Sequence, residues 1–111
     1  MKRGDIYFAN LDPTVGSEIK KKRPVLIVSN NANNKLSTTV TIVPITSNTK
    51  KVYPFEVLLE TQNTGLQKLS KAQCHQIRTI SKLRIQNPQI GHANSILMRK
   101  LDAALMLHLA L

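Results

Sequence analysis

The chain has 111 residues, 41% of them hydrophobic, which is enough for one compact domain with a modest core and too few for two. Sixteen basic residues against six acidic ones give a net charge of +10, which favours a polyanionic partner, nucleic acid ahead of an acidic protein segment. No apolar run is long enough to cross a bilayer, the basic residues do not gather on an amphipathic helix, and the stretch from Met1 to Asp5 opens no secretory signal. No membrane role is therefore expected, and the cytoplasm is the expected compartment.

Asp5 to Leu11 reads as a first strand, with Ile6 and Phe8 on one face and Tyr7 on the other. Asp12-Pro13 marks a turn, and the polar stretch from Thr14 to Arg23, which carries Gly16, reads as a loop. Pro24 to Ser29 holds the run Val25-Leu26-Ile27-Val28, a buried strand with Pro24 at its first position, where a missing N–H is tolerated. The Asn-rich stretch from Asn30 to Ser37 is expected to be a short helical turn or loop. β-Branched residues fill Thr38 to Ile45, a third strand, and Thr46 to Lys51 is a polar loop.

Tyr53 to Leu59 reads as a fourth strand with Pro54 near its start, and Asn63, Thr64 and Gly65 supply turn chemistry. Leu69 to Ile80 holds one or two further strands, while Asn87-Pro88 and Gly91 read as breaks in the chain. Asn94 or Ser95 is expected to cap a closing helix that runs to about Leu109. Ile96, Leu97, Leu101, Ala104, Leu105 and His108 recur at helical spacing, and Met98, Met106 and Leu107 widen the stripe. That width suits either packing on the chain's own sheet or a subunit contact. The expected fold is a single mainly β domain over residues 1–111, a small twisted sheet or partly closed barrel with a C-terminal helix appended.

Cys74 is the only cysteine, so no internal disulfide forms, and it reads as a small, half-buried residue. His75, His92 and His108 are far apart and the six acids are scattered, so no metal site is legible and no cofactor is expected. RNA offers one reaction that needs neither metal nor outside water: attack of a 2′-hydroxyl on its own 3′-phosphate. Such an enzyme must accept the hydroxyl proton, steady charge on phosphorus and return a proton to the departing 5′-oxygen. Arginine suits the middle task, and Thr, Ser, Gln and backbone N–H groups assist as donors. Proton transfer calls for Glu, His or a similarly placed group.

Five segments, in order along the chain, resemble the MazF/PemK family of toxin ribonucleases. They are Arg3-Gly4-Asp5-Ile6-Tyr7 with Leu11-Asp12-Pro13-Thr14 and Gly16-Ser17-Glu18; Lys22-Arg23-Pro24-Val25-Leu26-Ile27-Val28-Ser29; Val43-Pro44-Ile45-Thr46-Ser47; Tyr53-Pro54-Phe55-Glu56-Val57; and Gln76-Ile77-Arg78-Thr79-Ile80. The resemblance implies an SH3-like small barrel with a C-terminal helix, acting as a homodimer. It implies the toxin of a type II toxin–antitoxin system that cuts single-stranded RNA at preferred short sequences, leaving a 2′,3′-cyclic phosphate and a 5′-hydroxyl. Its partner would be a MazE-like antitoxin whose acidic tail covers the RNA groove.

The family's central Arg and Thr fall on Arg23 and Thr46. From the residues alone, Arg23 is the last member of the basic run Lys20-Lys21-Lys22-Arg23 and Thr46 a strand-end threonine; the resemblance makes both site residues. It makes Glu18 a candidate proton acceptor and Ser17, Lys20, Ser47 and Gln76 candidate RNA contacts, with Arg78 either a phosphate contact or a brace for the fold. His75 stands where some relatives carry an acid. It is a candidate acid or base, a base-stacking ring, or a residue without the acid's task, so the division of proton transfer between Glu18 and His75 stays open. His92 and His108 are read as structural.

Two other functions are open to such a chain. A gyrase-binding toxin of the CcdB kind shares the barrel but acts through a C-terminal Trp-Gly-Ile, whereas this chain has no Trp and ends Leu109-Ala110-Leu111. A catalytically weak RNA binder would keep the basic surface and fail to cleave.

Overall fold

A computed structural model describes all residues, 1–111. Seven strands and three helices follow one another: β1 (Asp5–Asn10), β2 (Lys22–Ile27), α1 (Asn31–Leu36), β3 (Thr39–Thr46), β4 (Glu56–Leu59), α2 (Thr61–Thr64), β5 (Ser70–Gln73), β6 (Arg78–Ser81), β7 (Ile85–His92) and α3 (Ser95–Leu109). Short 3₁₀ turns at Cys74–Gln76 and Lys82–Arg84 flank β6. All pairings are antiparallel, in the order β4-β5-β3-β2-β1-β7, with β6 added beside β3.

β3 is the corner on which the sheet curls. Its first half, Thr39 to Ile42, pairs with β6, and its last residues, Ile45 and Thr46, pair with β5. Pro44 falls in the changeover, where the strand needs no N–H toward that edge. The curl leaves an apolar cluster on each side of β2 and β3. Leu26, Val43 and Ile45 join the larger one under α3, while Val25, Ile27, Val40 and Ile42 join a smaller one with Tyr7, Leu11 and Ile80. Successive side chains point to opposite faces, so each strand feeds both clusters. The mainly β, SH3-like barrel with a C-terminal helix expected from the sequence is the architecture observed.

Several boundaries differ. β2 begins at Lys22, two residues before Pro24, because it pairs with β1 from Asn10↔Lys22 onward. Its ladder to β3 starts only at Val25↔Pro44, so Pro24 interrupts nothing on that side. Tyr53 to Phe55 is a turn and not strand: Glu56 N–H donates to the Tyr53 carbonyl at 2.8 Å, and Tyr53 N–H donates to Glu56 Oε1 at 3.0 Å.

The larger correction is β7. Asn87-Pro88 and Gly91 lie inside a strand and do not break the chain. β7 pairs with β1 with a register shift between Ile6↔Gly91 and Phe8↔Gln86, and Pro88 sits in the resulting bulge on an edge strand, where no ladder N–H is lost. Gly91 is required by contact: a Cβ there would come within 2.2 Å of the Thr64 carbonyl oxygen of α2.

α3 starts where expected. The Asn94 side chain accepts from Leu97 N–H at 2.9 Å. Leu97, Met98, Leu101 and Ala104 are buried against the larger cluster, whereas Ile96, Met106, Leu107, Leu109 and Leu111 remain exposed. Arg3 ties the opposite end of the chain to this helix, pairing with Asp102 while its Nε donates to the Val28 carbonyl at 2.9 Å. Asp5 is buried and accepts from Lys2 N–H and Gln89 and contacts His92 Nδ1 at 3.0 Å, so the Arg3-Gly4-Asp5 segment is structural, as is His92.

Candidate active site

Arg23 leaves β2 two residues before Val25, on the face of the smaller cluster. Thr46 ends β3 four residues after Ile42, on the same face. Continued two residues past Val25↔Pro44, the β2–β3 register sets Arg23 across from Thr46. Arg23 Nε donates to the Lys20 carbonyl at 3.1 Å, which fixes the guanidinium stem and leaves its terminal nitrogens for a ligand. Thr46 Oγ1 accepts from Asn48 N–H at 3.3 Å, so its own hydroxyl proton is available to donate.

The loop between β1 and β2 crosses the same face. Lys21 closes it in the left-handed region, φ 72, held by two bonds: its N–H donates to Asp12 Oδ1 and its carbonyl accepts from Leu11 N–H, both at 3.0 Å. Gln76 reaches up from the 3₁₀ turn and grips the loop from below. Its Oε1 accepts from Ile19 N–H and its Nε2 donates to the Ser17 carbonyl, each at 3.4 Å. Arg78 Nη1 donates to the Leu11 carbonyl at 3.3 Å, which is the bracing role. Arg23, Thr46, Gln76, Arg78 and the Ser17–Lys20 segment thus share one basic face.

Glu18 is on that loop, but its carboxylate turns back and accepts from Val15 N–H at 2.8 Å. His75 follows β5, whose Lys71 pairs with Thr46. Its ring meets Phe55 edge-on at 4.6 Å between centroids and lies 6.4 Å from His108 of α3, beside the buried Lys71–Glu56 ion pair, whose charged atoms are 3.0 Å apart. Burial, more than any charge, holds the His75 pKa below the ordinary histidine value; Glu56 pulls the other way, and His108 and Lys71 reinforce the fall. Its Nδ1 and the neighbouring Gln73 Oε1 are buried without hydrogen-bond partners. Cys74 is fully buried and its thiol is pushed up to about 12, chiefly by burial and then by Glu56, so it is unreactive at neutral pH.

No group of three His, Cys, Asp or Glu side chains is placed to hold a metal ion. A cavity of about 590 Å³ opens beside Arg23, reaching Ser47 as well as Phe8, Lys22, Gln67 and Lys68. Sequence reasoning brought Arg23 and Ser47 to it and missed the other four. Phe8, an aromatic on a strand flanking a basic run and 36% exposed, is the signal that could have pointed there.

A family model described as PemK-like, MazF-like toxin of type II toxin-antitoxin system matches residues 2–109. The chain belongs to this family. It is 47% identical over its whole length, and over 98% of the relative's, to the endoribonuclease MazF9 of Mycobacterium tuberculosis. It is 40% identical to the endoribonuclease EndoA of Bacillus subtilis, covering all of this chain and 96% of that one. Among solved structures, an endoribonuclease in complex with its cognate antitoxin from a mycobacterial species superposes with a TM-score of 0.83 at 26% identity, covering all of this chain and 96% of that one.

Proposed function

We propose that this chain is the endoribonuclease toxin of a type II toxin–antitoxin pair and that it cleaves single-stranded RNA at the Arg23–Thr46 face, without a metal. The activity class rests on the family and on two endoribonucleases alike over the full length. The observation that carries the site is the strand register that sets Arg23 across from Thr46 under a loop gripped by Gln76.

In this reading a 2′-hydroxyl loses its proton and its oxygen bonds to the adjacent phosphorus. The Arg23 guanidinium and the Thr46 hydroxyl steady the charge that gathers on the phosphoryl oxygens. The bond from phosphorus to the 5′-oxygen breaks, that oxygen takes up a proton, and the products are a 2′,3′-cyclic phosphate and a 5′-hydroxyl. Of Glu18 and His75, the geometry favours Glu18 as proton acceptor, because it shares the loop that Gln76 ties to the Arg23 face, whereas the His75 ring faces α3. Release of Glu18 from Val15 is a one-bond change in an exposed loop. Ser17, Lys20, Ser47 and Gln76 contact the flanking RNA, and Arg78 holds the loop's root.

The working form is a homodimer, with a second copy covering the exposed apolar end of α3, and the acidic tail of an antitoxin competes with RNA for the basic face. No helix is long and apolar enough to cross a membrane, and the cytoplasm, where RNA and antitoxin meet, is the compartment this reading requires. Gyrase poisoning is disfavoured, because the relatives alike over the full length are endoribonucleases.

The test is Arg23→Ala on a long mixed-sequence RNA in the presence of EDTA. Loss of a preorganised donor costs about 10²–10³ in rate. The unaltered protein is expected to cut fully in chelator and the variant to lose that factor while keeping its thermal transition. Wild-type rates from Arg23→Ala would sink the assignment, and loss of activity in EDTA would require a metal.

A further inference from the structure

The cavity beside Arg23 lies on the other side of β2 and β3 from the face where Arg23 and Thr46 meet. It is lined by the β1 and β2 residues Phe8, Lys22 and Pro24, by Ile45 and Ser47 of β3 and its end, by the 65–68 loop with Ser70, and by Ile90 of β7. Its composition is specific. Ile45, Leu66, Ile90 and Pro24 make an apolar lining, three cations (Lys22, Arg23, Lys68) stand around it, and no carboxylate lines it.

We propose that this cavity holds one unpaired base of the RNA, from a nucleotide next to the scissile phosphate, with Phe8 as its stacking platform and Gln67 as the residue that reads its edge. The inference rests on the nuclease reading of the Arg23 face and names what determines its sequence preference.

Three observations carry it. First, Arg23 belongs to both surfaces. A ligand in the cavity is therefore covalently close to the phosphate that Arg23 grips, which suits a flanking nucleotide of the same strand. Second, the wall opposite Phe8 is preformed. Gly65 closes α2 at φ +79 with its N–H donating to the Thr61 carbonyl at 3.0 Å. Leu66 N–H donates to Thr64 Oγ1 at 3.2 Å, and that hydroxyl donates to the Glu60 carbonyl at 2.8 Å. Gly91 lets α2 lie directly on β7. Gln67 is exposed directly after this hydrogen-bonded turn, so its backbone is held at the rim of the cavity and its amide can reach in.

Third, the chemistry of the walls matches a base better than any other part of a polyanion. A single-stranded base needs an apolar slot, an aromatic face and a paired donor and acceptor on its edge. Phe8 offers the ring, polarised by Lys22 Nζ at 5.2 Å from its centroid. A glutamine amide offers donor and acceptor side by side. Lys22 and Lys68 then fall where the phosphates on either side of that nucleotide would run. An acidic peptide would satisfy the cations alone and leave the ring and the apolar lining unused.

The experiment maps 5′-ends produced from a long mixed-sequence RNA by the unaltered protein, Phe8→Leu, Gln67→Ala and Gln67→Glu. Phe8 and Gln67 are exposed, and a thermal melt of each variant checks that it is folded. Phe8→Leu is expected to slow cleavage at the preferred sequence about ten- to a hundredfold. Gln67→Ala is expected to flatten the base preference at one position beside the cut, and Gln67→Glu, which has only acceptors, to change which base is preferred there. Cleavage by folded variants with the parent's rate and preference at every position overturns the cavity assignment and leaves the nuclease reading standing. So does a preserved preference combined with weakened antitoxin binding, which would give the cavity to the partner protein. Failure of the unaltered protein to cut any RNA removes both readings together.

Discussion

Arg23 illustrates how little a side chain's type says without its register. In the run Lys20 to Arg23 four cations stand in a row, and only the last two enter β2. The Lys20 carbonyl then anchors the Arg23 stem, so one member of the run positions another through its backbone. Glu18→Gln is expected to slow cleavage sharply, since a neutral amide cannot accept the proton, while His75→Gln leaves the rate within about tenfold of the parent at neutral pH. Single-turnover rates on one short RNA decide between them, and the reverse ranking would move proton transfer to His75. The sequence favoured Glu18 as acceptor but left the division of proton transfer open, because His75 stands where some relatives carry an acid. The 3₁₀ turn at Cys74–Gln76 separates His75 from Gln76, sending Gln76 to the loop and His75 to Phe55 and His108. Turn geometry of that kind leaves no periodic mark to detect.

At the level of elements, strands with a clear burial pattern were legible and those defined by contact were not. β3 and α3 announced themselves by β-branched content and by a capping Asn followed by helical spacing. β7 did not, because Pro88 and Gly91 look like punctuation until the bulge against β1 and the close approach of α2 are known. Gly91→Ala forces α2 off β7 and is expected to cost about 1–3 kcal/mol of stability, measured by denaturant unfolding; an unchanged midpoint would contradict the packing described. The junction of β4, β5 and α3 carries a pH response. In Glu56, burial raises the pKa, but hydrogen bonds from Tyr53 N–H, Lys71 and Gln73 together hold it below the ordinary carboxylate value. His75 is likewise held below its ordinary value, by burial first. Both groups bind protons more readily when unfolded, so stability is complete above the unfolded pKa values and falls as pH drops through them. The histidine contribution is lost first, beginning near about pH 6.5, and the carboxylate contribution below about pH 4.5. Thermal melts between pH 8 and 5 should show the decline, and His75→Gln should flatten it in that window. A decline of equal size in the variant would place its origin elsewhere.

The whole molecule is a small basic body with an uncovered apolar helix end, and both properties predict behaviour in solution. Leu107→Glu combined with Leu111→Glu is expected to shift sedimentation toward monomer, whereas a dimer unaffected by the pair would place the interface on another surface. RNA affinity should fall by about tenfold or more between 50 and 200 mM salt, as expected if a few phosphates are neutralised. The net charge was legible from composition and pointed to a polyanion; the placing of Arg23 of β2, the Ser17–Lys20 loop and Arg78 of β6 on one side emerged only from the strand register and the hydrogen bonds of that loop. The central claim is that the RNA supplies its own nucleophile while Arg23 and Thr46 steady the phosphate. It is tested most directly by a short RNA carrying a single 2′-deoxyribose at the nucleotide 5′ to the preferred cut. The unmodified RNA should yield a 2′,3′-cyclic phosphate and a 5′-hydroxyl and the deoxy RNA should stay whole, whereas cleavage of the deoxy RNA at that bond would contradict the mechanism.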